Sequence, residues 1–168
     1  MGMAAFLALY YAGASVQLTP DEAALLREEF GSKIEGIEES GIFINNIVIA
    51  FVMFIPAIGA GFGMFAGYST GMIFSALAES NPALFGVSPL AIMLTPFGIM
   101  EVFSYGLAMS RSSVLIYQLV KKKPWREYVV PTLIELGIVA AVLFAAALVE
   151  WWMIQQSGGL DLDSIKSA

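Results

Sequence analysis

Charged residues fall in clusters along this chain, and the apolar intervals between the clusters predict its elements. Met1 to Val16 carries no charged side chain. We read residues 1–18 as a first membrane helix, short against the roughly 20 residues a span needs. Thr19 then offers an N-cap hydroxyl and Pro20 a first helical position, and Asp21 and Glu22 form the acidic first turn that a helix dipole favours. From Asp21 to Ser40 there are seven acidic residues and two basic ones, with Leu26, Phe30, Ile34 and Ile37 at helical spacing. That pattern predicts an exposed or interfacial amphipathic helix over 19–40.

Gly41 to Ala78 contains no charged residue. As one helix these 38 residues would reach about 57 Å, well beyond a hydrocarbon core of about 30 Å. The tract must therefore break, and Pro56 with Gly59 and Gly61 marks the place. Two helices are expected, 41–55 and 57–78, with a bent or re-entrant element as the alternative. Residues 79–87, with Asn81, Pro82 and Gly86, read as a loop. The next span is either Ser88 to Met109, or a short piece at Pro89 to Leu94 followed by a helix capped at Thr95 and running Pro96 to Val120. The second division places Arg111 near the far end, where it can snorkel, and we prefer it. A last helix over 128–153 ends in the interfacial pair Trp151 and Trp152.

Lys121, Lys122, Lys123 and Arg126 hold half of the eight basic residues. By the positive-inside rule the loop 121–127 is cytoplasmic, and these residues are candidates for contact with anionic lipid. Counting five spans outward places the N-terminus inside, and the acidic helix and the tail from Gln155 outside. The expectation is an all-α, single-domain, multi-pass bundle in the cell membrane. Composition agrees, with 58% hydrophobic and 13% charged residues. The run at the N-terminus lacks the positive n-region of a signal peptide. A net charge of −6 removes the basic footprint that nucleic acid requires.

Cysteine and histidine are both missing. Disulfides, thiolate nucleophiles, imidazole bases and most zinc or copper sites are thereby excluded. No cofactor, metal or catalytic residue is expected, and chemistry must rest on carboxylates, hydroxyls and amides. Ser110, Ser112 and Ser113 flank Arg111 without a partner base.

Gly59, Gly63, Gly67 and Gly71 recur every four residues and line one helix face, which lets a neighbouring backbone approach inside the bundle or at a homodimer seam. Gly61 lies off that stripe. Ionised carboxylates are costly within a membrane helix, which singles out Glu101 and Glu135. Glu101 lies about 9 Å below the outer boundary and Glu135 about 12 Å above the inner one, at 1.5 Å per residue, so a site shared by these two is disfavoured. Glu135 is expected to pair with Thr132, with Ser69 or Thr70, or with basic groups of the 121–126 loop. Asn45, Asn46, Glu101 and Glu150, from three helices, fall in one outer layer. They predict either a hydrogen-bonded clamp between helices or a site for a cation, proton or polar lipid headgroup.

Three stretches carry a family resemblance. Asn45-Asn46 heads a glycine-rich tract. Pro96-Phe97-Gly98-Ile99-Met100-Glu101 resembles a Pro-His-Gly-x-x-Glu helix start, and Leu148-Val149-Glu150-Trp151 a closing aliphatic-Glu-aromatic signature. Together they are similar to the stage II sporulation protein M family of membrane proteins, over roughly Phe43 to Trp152. Phe97 stands where that family usually has histidine. The resemblance implies a membrane scaffold that is not itself an enzyme and selects the same Asn45, Asn46, Glu101 and Glu150. We therefore expect a scaffold or accessory subunit that assembles with itself or with other membrane proteins. A small transporter or channel component, binding an ion or proton at the Asn/Glu layer, is the second expectation.

Overall fold

A computed structural model describes residues 1–34, 38–81, 84 and 86–156. Among these there are seven helices and no strand: α1 (Gly2–Ala14), α2 (Pro20–Ile34), α3 (Glu39–Met53), α4 (Gly59–Ser80), α5 (Pro89–Met93), α6 (Pro96–Val120) and α7 (Trp125–Gln156). The expected positions of Glu35, Ile37 and the tail beyond Gln156 lie outside the described residues.

Local chemistry explains most of the boundaries. Glu22 and Thr19 form a reciprocal capping box at the start of α2, with Thr19 N donating to Glu22 Oε2 at 2.9 Å. These hydrogen bonds hold the exposed Glu22 carboxyl below the usual range. At α6, Thr95 Oγ1 accepts from Gly98 N at 3.1 Å. The chain breaks at residues 54–58, where Ala57 adopts a left-handed φ of 69°, and the Ile55 carbonyl accepts both from Gly59 N and from Ser112 Oγ of α6, each at 2.8 Å. The α6–α7 turn closes through Lys122, also left-handed at φ 51°, with Lys123 N donating to Gln118 O and Lys122 N to Leu119 O, both at 3.0 Å. That pattern is a Schellman closure with lysine where glycine is usual.

The packing order follows from the glycine face. Gly59, Gly63, Gly67 and Gly71 are all buried, and their neighbours belong to the same chain. Gly63 receives the Met109 side chain of α6, Gly67 receives Phe6, and Gly71 lies against the Tyr10 carbonyl. Gly13 in turn meets the backbone of Tyr68. In register, Phe6 faces Gly67 and Tyr10 faces Gly71, so α1 and α4 run parallel at backbone contact. The homodimer seam considered from the sequence is thus not where these glycines sit. They are consumed inside the bundle.

Several elements differ from expectation. The first helix is 13 residues rather than about 18, and Gly2 N donates to Ser110 Oγ at 3.4 Å, so α1 begins level with the middle of α6. The acidic helix is not free: Ala23 and Gly31 are buried, and the Arg27 guanidinium donates to Ala76 O of α4 at 3.2 Å. α3 starts at Glu39 instead of 41, and α7 is longer at both ends than 128–153. Ser112 is bonded to Ile55 eight residues before the end of α6, so the α6–α7 hairpin extends about 12 Å past the α3–α4 turn at 1.5 Å per residue.

One helix, α7, is long and apolar enough to cross a membrane among the described residues. α1 and α3, at 13 and 15 residues, are shorter than a span. α4 is diluted by its glycines, serines and threonine, and α6 carries Glu101 and Arg111. The outer surface is nonetheless apolar. Ile44, Val48 and Phe51 form an exposed stripe on α3 that Ile55 continues into the break, and Ile134, Ile138, Leu148 and Trp152 form one on α7. Acidic groups of α2 and the start of α3 collect at the end where α4 finishes, and the lysine turn lies at the other.

The α1–α4 contact is open to test by paired substitution. Gly71→Ala places a Cβ against the Tyr10 backbone and 2.7 Å from Ala14 N, and should lower stability by about 1–3 kcal/mol, the usual range for overpacking. Gly61→Ala meets nothing within 4 Å and should leave it unchanged or slightly raised. Unfolding in a titrated detergent mixture reads both; equal behaviour of the two variants would contradict the packing.

Candidate functional site

The polar residues of the upper bundle converge because each occupies an early or late turn of its helix. Asn45 and Asn46 lie in the second turn of α3, Glu101 in the second turn of α6 and Glu150 near the end of α7. Consecutive helical residues diverge by about 100°, so the two asparagines cannot share a direction. Asn46 points inward and is only 8% exposed, whereas Asn45 lies on the exposed flank.

A short relay of hydrogen bonds results. Asn45 Nδ2 donates to Asn46 Oδ1 at 3.2 Å, and Asn46 Nδ2 donates to Glu101 Oε1 at 2.6 Å. Glu150 lies within electrostatic range of Glu101, yet its carboxylate receives no hydrogen bond from the described residues. Two carboxylates are therefore brought together with amide donors on only one of them.

All four residues line a single cavity of about 700 Å³, together with Lys33 of α2 and Thr70 of α4. The rest of its wall is mainly aliphatic and aromatic. Its floor is the Phe6–Tyr105 pair, whose ring centroids are 5.4 Å apart. Lys33 brings the one cation among the described lining residues, and Glu29 already holds it, with Nζ to Oε1 at 2.6 Å. That pairing lowers the exposed Glu29 carboxyl below its ordinary range. Two carboxylates do not make a metal centre, and no three potential ligands of that kind gather among the described residues.

A second polar contact lies deeper along α6. Arg111 Nε donates to Glu135 Oε2 at 2.6 Å, and its Nη2 donates to Glu135 Oε1, so the pair is bidentate. Both side chains are largely covered, at 12% and 22% exposure. The sequence reading sent Arg111 to the interface and Glu135 to a hydroxyl or to the basic loop. In the structure Thr132 Oγ1 instead donates to Tyr128 O at 2.6 Å, and Glu135 takes the arginine. The signal was present, because Arg111 and Glu135 stand equally far from Lys123, the centre of an antiparallel hairpin. Nothing in the sequence, by contrast, marks Lys33 and Thr70 as neighbours of that cavity.

The basic turn is exposed, and part of it is engaged locally. Arg126 lies over the Trp125 ring at 5.4 Å and Lys121 over Tyr117 at 6.0 Å, while Lys123 Nζ reaches Glu127 at 3.6 Å. Compared with protein-family models, with curated proteins and with solved structures, the chain matches none.

Removing one member of the Arg111–Glu135 pair strands its partner's charge in a covered position. Arg111→Met or Glu135→Leu should each cost about 3 kcal/mol, and the two together should recover most of it. A double-mutant cycle measured by unfolding in detergent provides the check. Additive single losses would show that the two side chains do not act as a pair.

Proposed function

We propose that this protein is a multi-pass integral membrane scaffold or accessory subunit, without enzymatic activity, that assembles with itself or with other membrane proteins. The observation that carries the membrane part is the outward apolar surface. Leu133 and Trp152, near opposite ends of α7, are 61% and 62% exposed, and large apolar side chains cover the outer faces of α3 and α6 as well. A soluble helix presents a polar face outward, whereas patches of this extent belong to lipid or to partner helices. α7 provides one crossing and α6, its antiparallel partner, a second. α1 and α3 are short companions, and α4, 22 residues long, is their glycine-rich neighbour within the bundle.

The scaffold part draws on the resemblance to the stage II sporulation protein M family, carried by Asn45-Asn46, Pro96 to Glu101 and Leu148 to Trp151. Because the glycine stripe is occupied by α1 and α6, assembly must use the outer faces of α3, α6 and α7. The sidedness we favour keeps the Lys121–Arg126 turn in the cytoplasm and the acidic end outside. The juxtaposed Glu101 and Glu150 carboxylates favour a second reading, a transporter or channel component with an ion or proton at that layer. Glu101→Gln should abolish flux if that reading holds and leave it untouched otherwise.

The absence of cysteine makes topology directly measurable. Single variants Glu28→Cys and Lys122→Cys, in sealed oriented vesicles, should be labelled by a membrane-impermeant maleimide from opposite sides. Labelling of both from the same side would overturn the crossing assignment. The mass of gently extracted protein tests assembly, which a strict monomer with no copurifying protein would contradict.

A further inference from the structure

The cavity beneath α2 has a lining of two unlike kinds. Glu101, Glu150, Asn45 and Asn46 line it, and Ile42, Ile49 and Ile154, one turn away on the same helices, continue the lining with Ile73, Val102 and the Phe6 ring as an aliphatic and aromatic surface. Its volume of about 700 Å³ falls in the range of about 300–1,000 Å³ typical of small-molecule sites. Water alone suits such a space poorly, because a mostly aliphatic wall leaves many of its hydrogen bonds unmade. A purely apolar guest suits it no better, since it would cover the two carboxylates without compensation.

The charge balance identifies the missing half. Among the described residues Glu101 has one amide donor and Glu150 has none, and the lining lysine pairs with Glu29 on the exposed side of α2. Ile44 and Asn45 are exposed beside the opening, so the cavity is reachable from outside the bundle. We propose that it is a binding site for an ammonium-headed amphiphile, with the ammonium between Glu101 and Glu150 and the hydrocarbon chain along the aliphatic surface. An ammonium supplies three donors and a positive charge where two carboxylates meet. Asn45 and Asn46 are positioning residues: their relay fixes the Glu101 carboxylate toward the cavity. This rests on the membrane reading, which brings amphiphiles to the opening, but it fails or stands separately from the topology measurement.

Two sources share this chemistry, a bilayer lipid such as phosphatidylethanolamine and a free long-chain amine. Native mass spectrometry of the intact chain in a neutral detergent, titrated with phosphatidylethanolamine or phosphatidylglycerol of matched chains, addresses the first. A parallel titration with dodecylammonium or dodecanol addresses the second. Roughly tenfold preference for the ammonium head is expected in at least one arm, the worth of one charged hydrogen bond. Glu150→Gln should reduce that preference to near unity. Thr70→Phe, at an exposed lining position, should weaken charged and neutral probes alike by filling the chain's space. Preference confined to phosphatidylethanolamine assigns the bilayer as source, and preference confined to dodecylammonium assigns a free amine. Equal binding of ammonium and matched neutral or anionic heads overturns the proposal, as does a preference that survives Glu150→Gln in a variant whose melting temperature matches the parent's.

Discussion

The bundle depends on one close approach, that of α1 to α4 through Gly13, Gly67 and Gly71. A Cβ on any of these would meet backbone or a ring of the partner helix, so the two axes lie nearer than ordinary side chains permit. In a lipid environment, where apolar residues gain little by leaving one another's company for solvent, such contact supplies dispersion energy that Leu-on-Leu packing does not. Consequences follow up the chain. With α1 seated, Phe6 reaches the Tyr105 ring of α6, and Tyr10 Oη donates to Pro89 O at 3.0 Å, tying α5 to the same end. Ser75 Oγ closes that end by donating to Val16 O at 2.9 Å.

Dispersion packing fixes closeness better than it fixes register, and the polar contacts fill that gap. Asn46 to Glu101 and Arg111 to Glu135 lie ten residues apart on α6, about 15 Å along its axis. A one-turn slip of α6 against α3 or α7 would break one or the other. Covered polar groups are costly when unpaired, so slipped arrangements are disfavoured by more than the lost contact. Ser112 Oγ adds a third fixed point by joining Gly59 N on the Ile55 carbonyl at the α3–α4 break. Between the first two levels lie Val102, Tyr105, Ala108 and Met109, all buried in the apolar core.

Much of this was legible in the chain because local rules decide it. Thr95 with Pro96 marks the start of α6, Pro56 the break, and the four-residue glycine period a face built for contact. The all-helical class follows from the same signals. What the glycines touch was not legible, since periodicity reveals a face but not its partner, and a homodimer seam and an internal helix are equivalent in sequence. The Arg111–Glu135 pair was hidden for a related reason: a charge inside an apolar helix was referred to the nearest polar region, when the hairpin's symmetry about Lys123 brings a closer partner. Helix lengths were overestimated at the N-terminus because apolar composition continues past Ala14, where the helix stops. The amphipathic pattern of α2 read as an exposed helix because its inner face is small, with Ala23 and Gly31 rather than large residues meeting α4.

The unequal treatment of the two carboxylates bears on what the upper layer is for. A structural clamp needs donors matched to acceptors, and the amides available are those of Asn45 and Asn46. One donates to the other, and the second donates to Glu101, which completes a chain from α3 to α6 without involving α7. Glu150 therefore adds nothing to that clamp and imposes a like charge beside it. An alanine or leucine at 150 would pack the bundle without that penalty. A carboxylate that the clamp does not use, set at the edge of a cavity whose one cation among the described residues pairs with Glu29, is better explained by something that enters than by the fold that surrounds it.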